Sequence, residues 1–197
     1  NLKTSGDELI PDQSTDSITI NGLGFRGAEF SEIKPPNTHR IFMVGGSTMF
    51  GAGATSDRTT IPGYTQQFLD ENNSGFNLEV INAGIQGADS NTELILIEQK
   101  LVRFSPDLII IYDGWNDLRA SNTPTKLKEN WELLCELGKE NNFDIIITLQ
   151  PMAGFGNKIL TKQELKYVED GVDYNKNPLI ELLSTYQDYA KYLQEVK

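Results

Sequence analysis

Leu108-Ile109-Ile110-Ile111-Tyr112 is an apolar run with no polar residue interrupting it. A strand with one wet face alternates polar and apolar residues, whereas an unbroken, mostly β-branched run belongs to a strand covered on both faces. Such a strand demands an apolar layer on each side of its sheet, and the rest of the chain supplies strands and helices in alternation. Arg40–Val44 reads as a buried strand, Leu78–Asn82 as another, and Phe143–Leu149 as a fourth that Pro151 ends. Pro62 opens a helix to about Asn72, with Tyr64, Phe68 and Leu69 on its apolar face. Ser90-Asn91-Thr92-Glu93 has the Ser and Glu three apart that make a capping box, and the helix it starts turns Leu94, Ile97, Leu101 and Phe104 inward until Pro106. Lys126–Asn141 is a helix with Leu127, Trp131, Leu134 and Cys135 on one face. Thr161-Lys162-Gln163-Glu164 opens a short helix, and Leu179 to Lys197 reads as a long one with Leu179, Leu182, Tyr186, Tyr189 and Leu193 aligned. This alternation predicts an α/β fold, a three-layer α/β/α sandwich around a doubly wound, flavodoxin-like parallel sheet. Its crossovers should be right-handed, and ligands should bind outside the carboxyl ends of the strands.

The first part of the chain reads differently. Residues 1–17 are polar and look like a flexible lead, Ile18-Thr19-Ile20-Asn21 alternates like a short strand, and Gly22 to Gly27 is a glycine-punctuated loop carrying Arg26. Pro35-Pro36 then sets this lead, residues 1–38, apart from the main domain, residues 39–197. A net charge of −11 with no basic run argues against a nucleic-acid partner. One cysteine, Cys135, excludes an internal disulfide, and with a single histidine it argues against a thiolate or imidazole metal site. The longest apolar runs fall far short of the ~20 residues a membrane helix needs. The start at Asn1 reads as a processed or trimmed product, and a removed secretion signal with an extracytoplasmic location would suit it.

Three turns at the expected ligand edge carry the chemistry. Arg40–Val44 runs into Gly45-Gly46-Ser47-Thr48 and then Gly51, which presents a hydroxyl at the strand end. Asn82-Ala83-Gly84 follows the strand Leu78–Asn82, and Gly114-Trp115-Asn116-Asp117 follows Leu108–Tyr112. A serine needs a base to attack an acyl carbonyl and donors aimed at the oxyanion that forms. The Ser47 N–H, a Gly84 N–H that no side chain obstructs and the Asn116 side-chain amide are the candidate donors. The catalytic candidates are therefore Ser47, Gly84 and Asn116, and the candidates for substrate contact are Gly46, Trp115 and Asp117.

These motifs, in this order and spacing, resemble the SGNH (GDSL-like) hydrolase family over roughly residues 18–151. Gly45-Gly46-Ser47-Thr48 with Gly51 is similar to its nucleophile motif, with Gly46 where the usual aspartate stands. Asn82 to Gly87 is similar to the second motif, whose glycine donates to the oxyanion, and Gly114-Trp115-Asn116-Asp117 to the third, whose asparagine donates too. Ile20-Asn21 with Gly24-Phe25-Arg26-Gly27 resembles a lead found in some members. The resemblance implies hydrolysis or transfer of an ester-linked acyl group, esterase- or deacetylase-like, on a small-molecule or glycan-linked substrate and without a cofactor. The family's Asp-x-x-His motif, which supplies the base and its orienting carboxylate after a fifth strand, is absent from these residues; the expectation is that it follows Lys197. His39 is a poor substitute, because eight residues of strand put it on the order of 20 Å from Ser47, while proton transfer needs ~3 Å.

Other readings stand beside this one. A binding or structural module that kept the fold without the activity, and an O-acyltransferase acting on glycans, fit the same motifs. Asp113 and Asp117 read alternatively as the carboxylates of a glycosidase, though Asp117 also suits bracing its loop. The glycine-rich turns suggest a nucleotide site, but they match neither the phosphate loop nor the dinucleotide fingerprint. Trp115 and Tyr112 either line the pocket or pack in the core. Gln150, Pro151 and Met152 reach the same edge, and Cys135 reads as core packing.

Overall fold

The computed structural model describes every residue except 1, 7, 73, 74, 121, 173–175, 177 and 197. Two short antiparallel pairs open the chain, β1 (Thr4–Ser5) with β2 (Glu8–Leu9) and β3 (Gln13–Ser14) with β4 (Thr19–Ile20). Strands β5 (Thr38–Gly45), β6 (Asn77–Asn82), β7 (Leu108–Asp113) and β8 (Asp144–Leu149) form one parallel sheet in the order β6-β5-β7-β8. The chain enters the sheet at β5, steps outward to β6 and then crosses to β7, so the strand order reverses between β5 and β7. That reversal opens a crevice at the carboxyl ends of these two strands. The helices are α1 (Ser47–Phe50), α2 (Ile61–Asn72), α3 (Ser90–Leu96), α4 (Trp115–Ala120), α5 (Pro124–Asn141), α6 (Lys162–Asp170) and α7 (Leu179–Leu193). The π-type and 3₁₀ turns Ile97–Leu101 and Val102–Phe104 extend α3. No helix among the described residues is long and apolar enough to cross a membrane.

The two faces of the sheet are covered unequally. Phe42, Val44, Ile109 and Ile111 are fully buried on one face beneath α3, α5 and α7, with Ile97, Leu101, Leu127, Trp131, Leu134 and Tyr189. On the other face Ile41, Met43 and Ile110 cluster with Val80, Leu108 and Tyr112 of the sheet, beneath Met49 of α1 and Leu69 of α2. Ile146 of β8 is 47% exposed. The run Leu108–Tyr112 is thus sealed on one side and half-covered on the other.

The expected elements are present, and three of them differ in detail from the expectation. In α2, Tyr64 and Phe68 face solvent, 58% and 63% exposed, and Leu69 alone of the expected trio packs inward. This helix lies over the edge strand, so its buried face is narrow, and Gln66 holds that strand by hydrogen bonds: Nε2 donates to Leu78 O at 3.0 Å and Oε1 accepts from Val80 N at 2.7 Å. Its amide thereby occupies the place a neighbouring strand would take. At α3 the cap is Asp89, whose carboxylate accepts from Thr92 N at 3.0 Å, while Ser90 and Glu93 turn into the protein. The capping box expected at Thr161 and Glu164 is formed. Helix α7 ends at Leu193, and Lys197 lies outside the described residues. The polar lead forms the two strand pairs, and from Ile20 onward it enters the core. Phe25 and Phe30 meet Phe42 and Phe104 with ring centroids 5.5–6.1 Å apart, a packing that favours tilted and edge-on contacts like these.

Candidate active site

Ser47 opens α1 directly at the end of β5. The turn is sharp because Gly45 adopts φ +158° under Tyr112 O and Gly46 caps the helix. A Cβ on Gly46 would stand 2.2 Å from Asn116 Nδ2, so the asparagine amide lies directly against the residue preceding Ser47. The third turn therefore reaches the first, and an aspartate at position 46 has no room without displacing Asn116. The same amide donates to Ala88 O at 2.6 Å, which ties in the second turn. Ile85 N donates to Gly45 O at 2.9 Å and closes the set. Residues from three successive strand ends thus meet at the crevice between β5 and β7.

The two glycines of the second turn do different work. Gly84 is buried, and a Cβ there would stand 2.2 Å from Phe50 N and 2.7 Å from Met49 C. Its N–H donates to Asn82 Oδ1 at 3.0 Å. The structure therefore gives Gly84, expected to offer its N–H to substrate, the task of letting α1 lie against the turn. Gly87 is exposed, with φ +84° and open space where a Cβ would stand. It sits in the turn closed by Ala88 N to Ile85 O at 3.1 Å, beside the carbonyl that Asn116 holds. Both glycines stand in the Asn82–Gly87 motif, but only the fold shows which one is packed and which one faces outward.

Asp117 does not touch the crevice. It is fully buried and accepts from Ser90 Oγ at 2.5 Å, Ser90 N at 3.1 Å and Asn122 Nδ2 at 2.8 Å. It braces the Asn116 loop against α3, and the substrate contact and the glycosidase role considered for it are both lost. Asp113 is buried beneath the same loop, accepting from Gly114 N at 2.5 Å and Trp131 Nε1 at 2.9 Å. Burial, then the neighbouring Asp117, push the Asp113 carboxyl well above the usual range. Glu93 is 1% exposed, and neither of its carboxyl oxygens has a hydrogen-bond partner among the described residues. Burial, with the charges of Asp113, Asp117 and Asp89, pushes it far up as well. These acids do not gather into a group able to hold a metal ion among the described residues.

A pH dependence follows from the two raised groups. Unfolded, Asp113 and Glu93 titrate near 3.8 and 4.5; folded, they keep their protons to higher pH. The native state therefore binds more protons over that window, and stability falls as pH rises from the unfolded values through the folded ones. Urea unfolding should show a lower stability at about pH 8 than at about pH 5.5, with Glu93→Gln reducing the difference. Equal stabilities at the two pH values would contradict the burial of a neutral Glu93.

The remaining candidates disperse. Trp115 is half-buried against the main core. Tyr112 is also half-buried, and burial raises its phenol. Met152 is in the core, while Gln150 does reach the site edge, with Nε2 donating to Thr48 Oγ1 at 3.2 Å. Cys135 is partly buried, and burial pushes its thiol up, away from reactivity. His39 lies at the far end of β5, 3.9 Å from Asp107. A cleft of about 420 Å³ runs along the β6 edge, lined by Arg26, Asp57, Gln66 and Glu79 among others, and Ser47 is not part of its wall.

The family model for GDSL-like lipases and acylhydrolases matches residues 43–176, a stretch that holds all three turns. The chain belongs to this family. Among solved structures it is similar to a mutant of Axe2, an acetyl-xylooligosaccharide esterase from Geobacillus Stearmophilus, at 17% identity and TM-score 0.57, over 80% of this chain and 71% of that one. It is similar to the acetyl xylan esterase AlAXEase at 16% identity and TM-score 0.53, over 79% and 73%. It is also similar to AlinE4, an SGNH-hydrolase family esterase, at 23% identity and TM-score 0.50, over 58% of this chain and 60% of that one. The matched part thus spans about three fifths of the AlinE4 chain. Identities this low speak for the fold alone, which is the SGNH-type α/β sandwich. No curated protein sequence matches the chain.

Proposed function

We propose that this member of the family hydrolyses or transfers an ester-linked acyl group, with Ser47 as nucleophile. The observation that carries the reading is the contact of the Asn116 amide with Gly46, which brings a neutral donor to the residue beside Ser47. Ser47 Oγ gives its proton to a general base and attacks the acyl carbonyl, and the Ser47 N–H and Asn116 Nδ2 hold the negative charge that develops on the carbonyl oxygen. Collapse of this intermediate breaks the ester C–O bond, the alcohol leaving with the proton; the base is the role that the family's Asp-x-x-His motif fills. An Asn amide carries two N–H donors, so the bond to Ala88 O leaves one for the oxyanion. Gly87, exposed beside Ala88, is the better source of a third donor than Gly84, whose N–H would have to leave Asn82 Oδ1. Acetylated glycans are the first substrates to try, since two of the structural neighbours are acetyl esterases of xylan or its oligosaccharides by name.

Asn116→Ala should lower turnover of p-nitrophenyl acetate by on the order of 10²- to 10³-fold, the cost of removing one oxyanion donor. A loss below about twofold, where other oxyanion donors cost far more, would count against its role.

The second reading is a module that binds acylated ligands without turning them over. Fluorophosphonate labelling separates the two readings: a reactive serine that vanishes in Ser47→Ala supports the hydrolase, and an unlabelled chain that still binds acetylated xylooligosaccharide supports the binding module.

A further inference from the structure

Arg26 is far from Ser47 in sequence, yet its guanidinium is buried against the helix that Ser47 begins. Its Nη1 donates to Phe50 O at 3.0 Å and Gly51 O at 2.9 Å, the carbonyls that end α1. Its Nε pairs with Asp57 at 2.8 Å, its Nη2 donates to Ser17 O at 2.9 Å, and the group lies 5.0 Å from the centre of the Phe50 ring. The Arg26 backbone bridges both Ile20 and Asn82, and Asn82 Nδ2 donates to the same Phe50 O at 3.1 Å. The side chain is wholly enclosed.

Helix α1 needs such a clamp. It has four residues, and its own bonds are few: Phe50 N to Gly46 O at 2.9 Å, Gly51 N shared between Ser47 O at 3.0 Å and Thr48 O at 3.1 Å, and Ala52 N to Ser47 O at 2.9 Å. One turn of helix is not stable alone. Phe50 lies only about 4.5 Å along the axis from Ser47, so a displacement at one end is a displacement at the other. We propose that Arg26 is a positioning residue for Ser47, strapping the lead across the far end of α1 so that the hydroxyl is held at the sheet edge. The inference rests on Ser47 being the nucleophile, although the strapping itself does not. Arg26 supplies a planar fork that reaches three backbone carbonyls and a carboxylate at once, which a lysine ammonium cannot reproduce.

Arg40 provides the control. It is equally enclosed, pairing with Glu79 at 2.7 Å and donating to Phe104 O at 2.8 Å and Ser31 O at 2.7 Å, but it does so at the other end of β5. Arg26→Lys and Arg40→Lys should therefore both cost stability, and only the first should loosen α1. Native-state hydrogen exchange at Gly51 and Ala52, whose amides both bond Ser47 O, should quicken by on the order of 10-fold in Arg26→Lys beyond any change in global opening, and not in Arg40→Lys. Turnover of p-nitrophenyl acetate, compared at equal folded fraction, should lose on the order of 10- to 100-fold in kcat with KM within about twofold, as expected for a misplaced reacting group. Unchanged α1 exchange, or exchange that rises equally in Arg40→Lys, would overturn the clamp. A loosened α1 with intact kcat would overturn its role in positioning. If the parent's turnover survives Ser47→Ala, the nucleophile assignment fails instead, and the exchange experiment still decides whether Arg26 holds α1.

Discussion

Ser47→Ala is expected to remove serine labelling and to lower ester turnover by on the order of 10⁴- to 10⁶-fold, the range seen when a nucleophilic serine is deleted. The fold should not notice. What Ser47 gives to the structure is its carbonyl, which accepts from Gly51 N at 3.0 Å and Ala52 N at 2.9 Å. Alanine keeps that carbonyl and is a good helix former at the first position of α1. A melting temperature within a degree or two of the parent, as is usual for a surface change without lost contacts, would show that the loss is chemical. Hydrolysis of p-nitrophenyl acetate that persists at the parent rate would remove Ser47 from the mechanism.

Gly84→Ala should fail in the opposite way, through the fold. The added Cβ would stand 2.2 Å from Phe50 N and 2.7 Å from both Met49 C and Phe50 Cα. These are backbone atoms of α1, so no rotamer change relieves the overlap; the helix carrying Ser47 has to move. Forcing extra volume into a well-packed site costs about 1–3 kcal/mol, and a backbone-on-backbone clash belongs at or above the upper end. Denaturant unfolding should show that loss, and serine reactivity should fall with it. Gly87→Ala is the comparison: its surroundings are open, and only the left-handed φ of +84° opposes a side chain. That costs roughly 1–2 kcal/mol and leaves α1 undisturbed. Equal stability of the parent and Gly84→Ala would mean that the turn does not lie against α1 as described.

Much of the fold is legible along the chain because strand–helix alternation is a local signal. Val44, Ile111 and Leu134 mark buried positions by being apolar where the period demands it, and each is fully buried. The capping box expected at Ser90 and Glu93 does not form, for a physical reason. A polar pair three apart fits a helix start, but Asp89 one residue earlier caps better, and the fold then turns Ser90 toward Asp117 and leaves Glu93 enclosed. Tyr64 and Phe68 lie outside the core because helical spacing shows a stripe without showing which side of it faces the sheet.

Residue types and spacings along one chain suffice for the layered α/β class and for the family. They also suffice to show that Ser47, the Asn82–Gly87 turn and Asn116 all follow strands in a set order. They do not reveal that Asn116 lies against Gly46, that Gly84 is spent on packing while Gly87 faces outward, that Ser90 of α3 is the partner against which Asp117 braces its loop, or that Arg26 grips α1. Each of these is a contact between segments distant in sequence. A residue's type limits which bonds it can form, but which partner comes within reach is set by how the strands order and the helices pack.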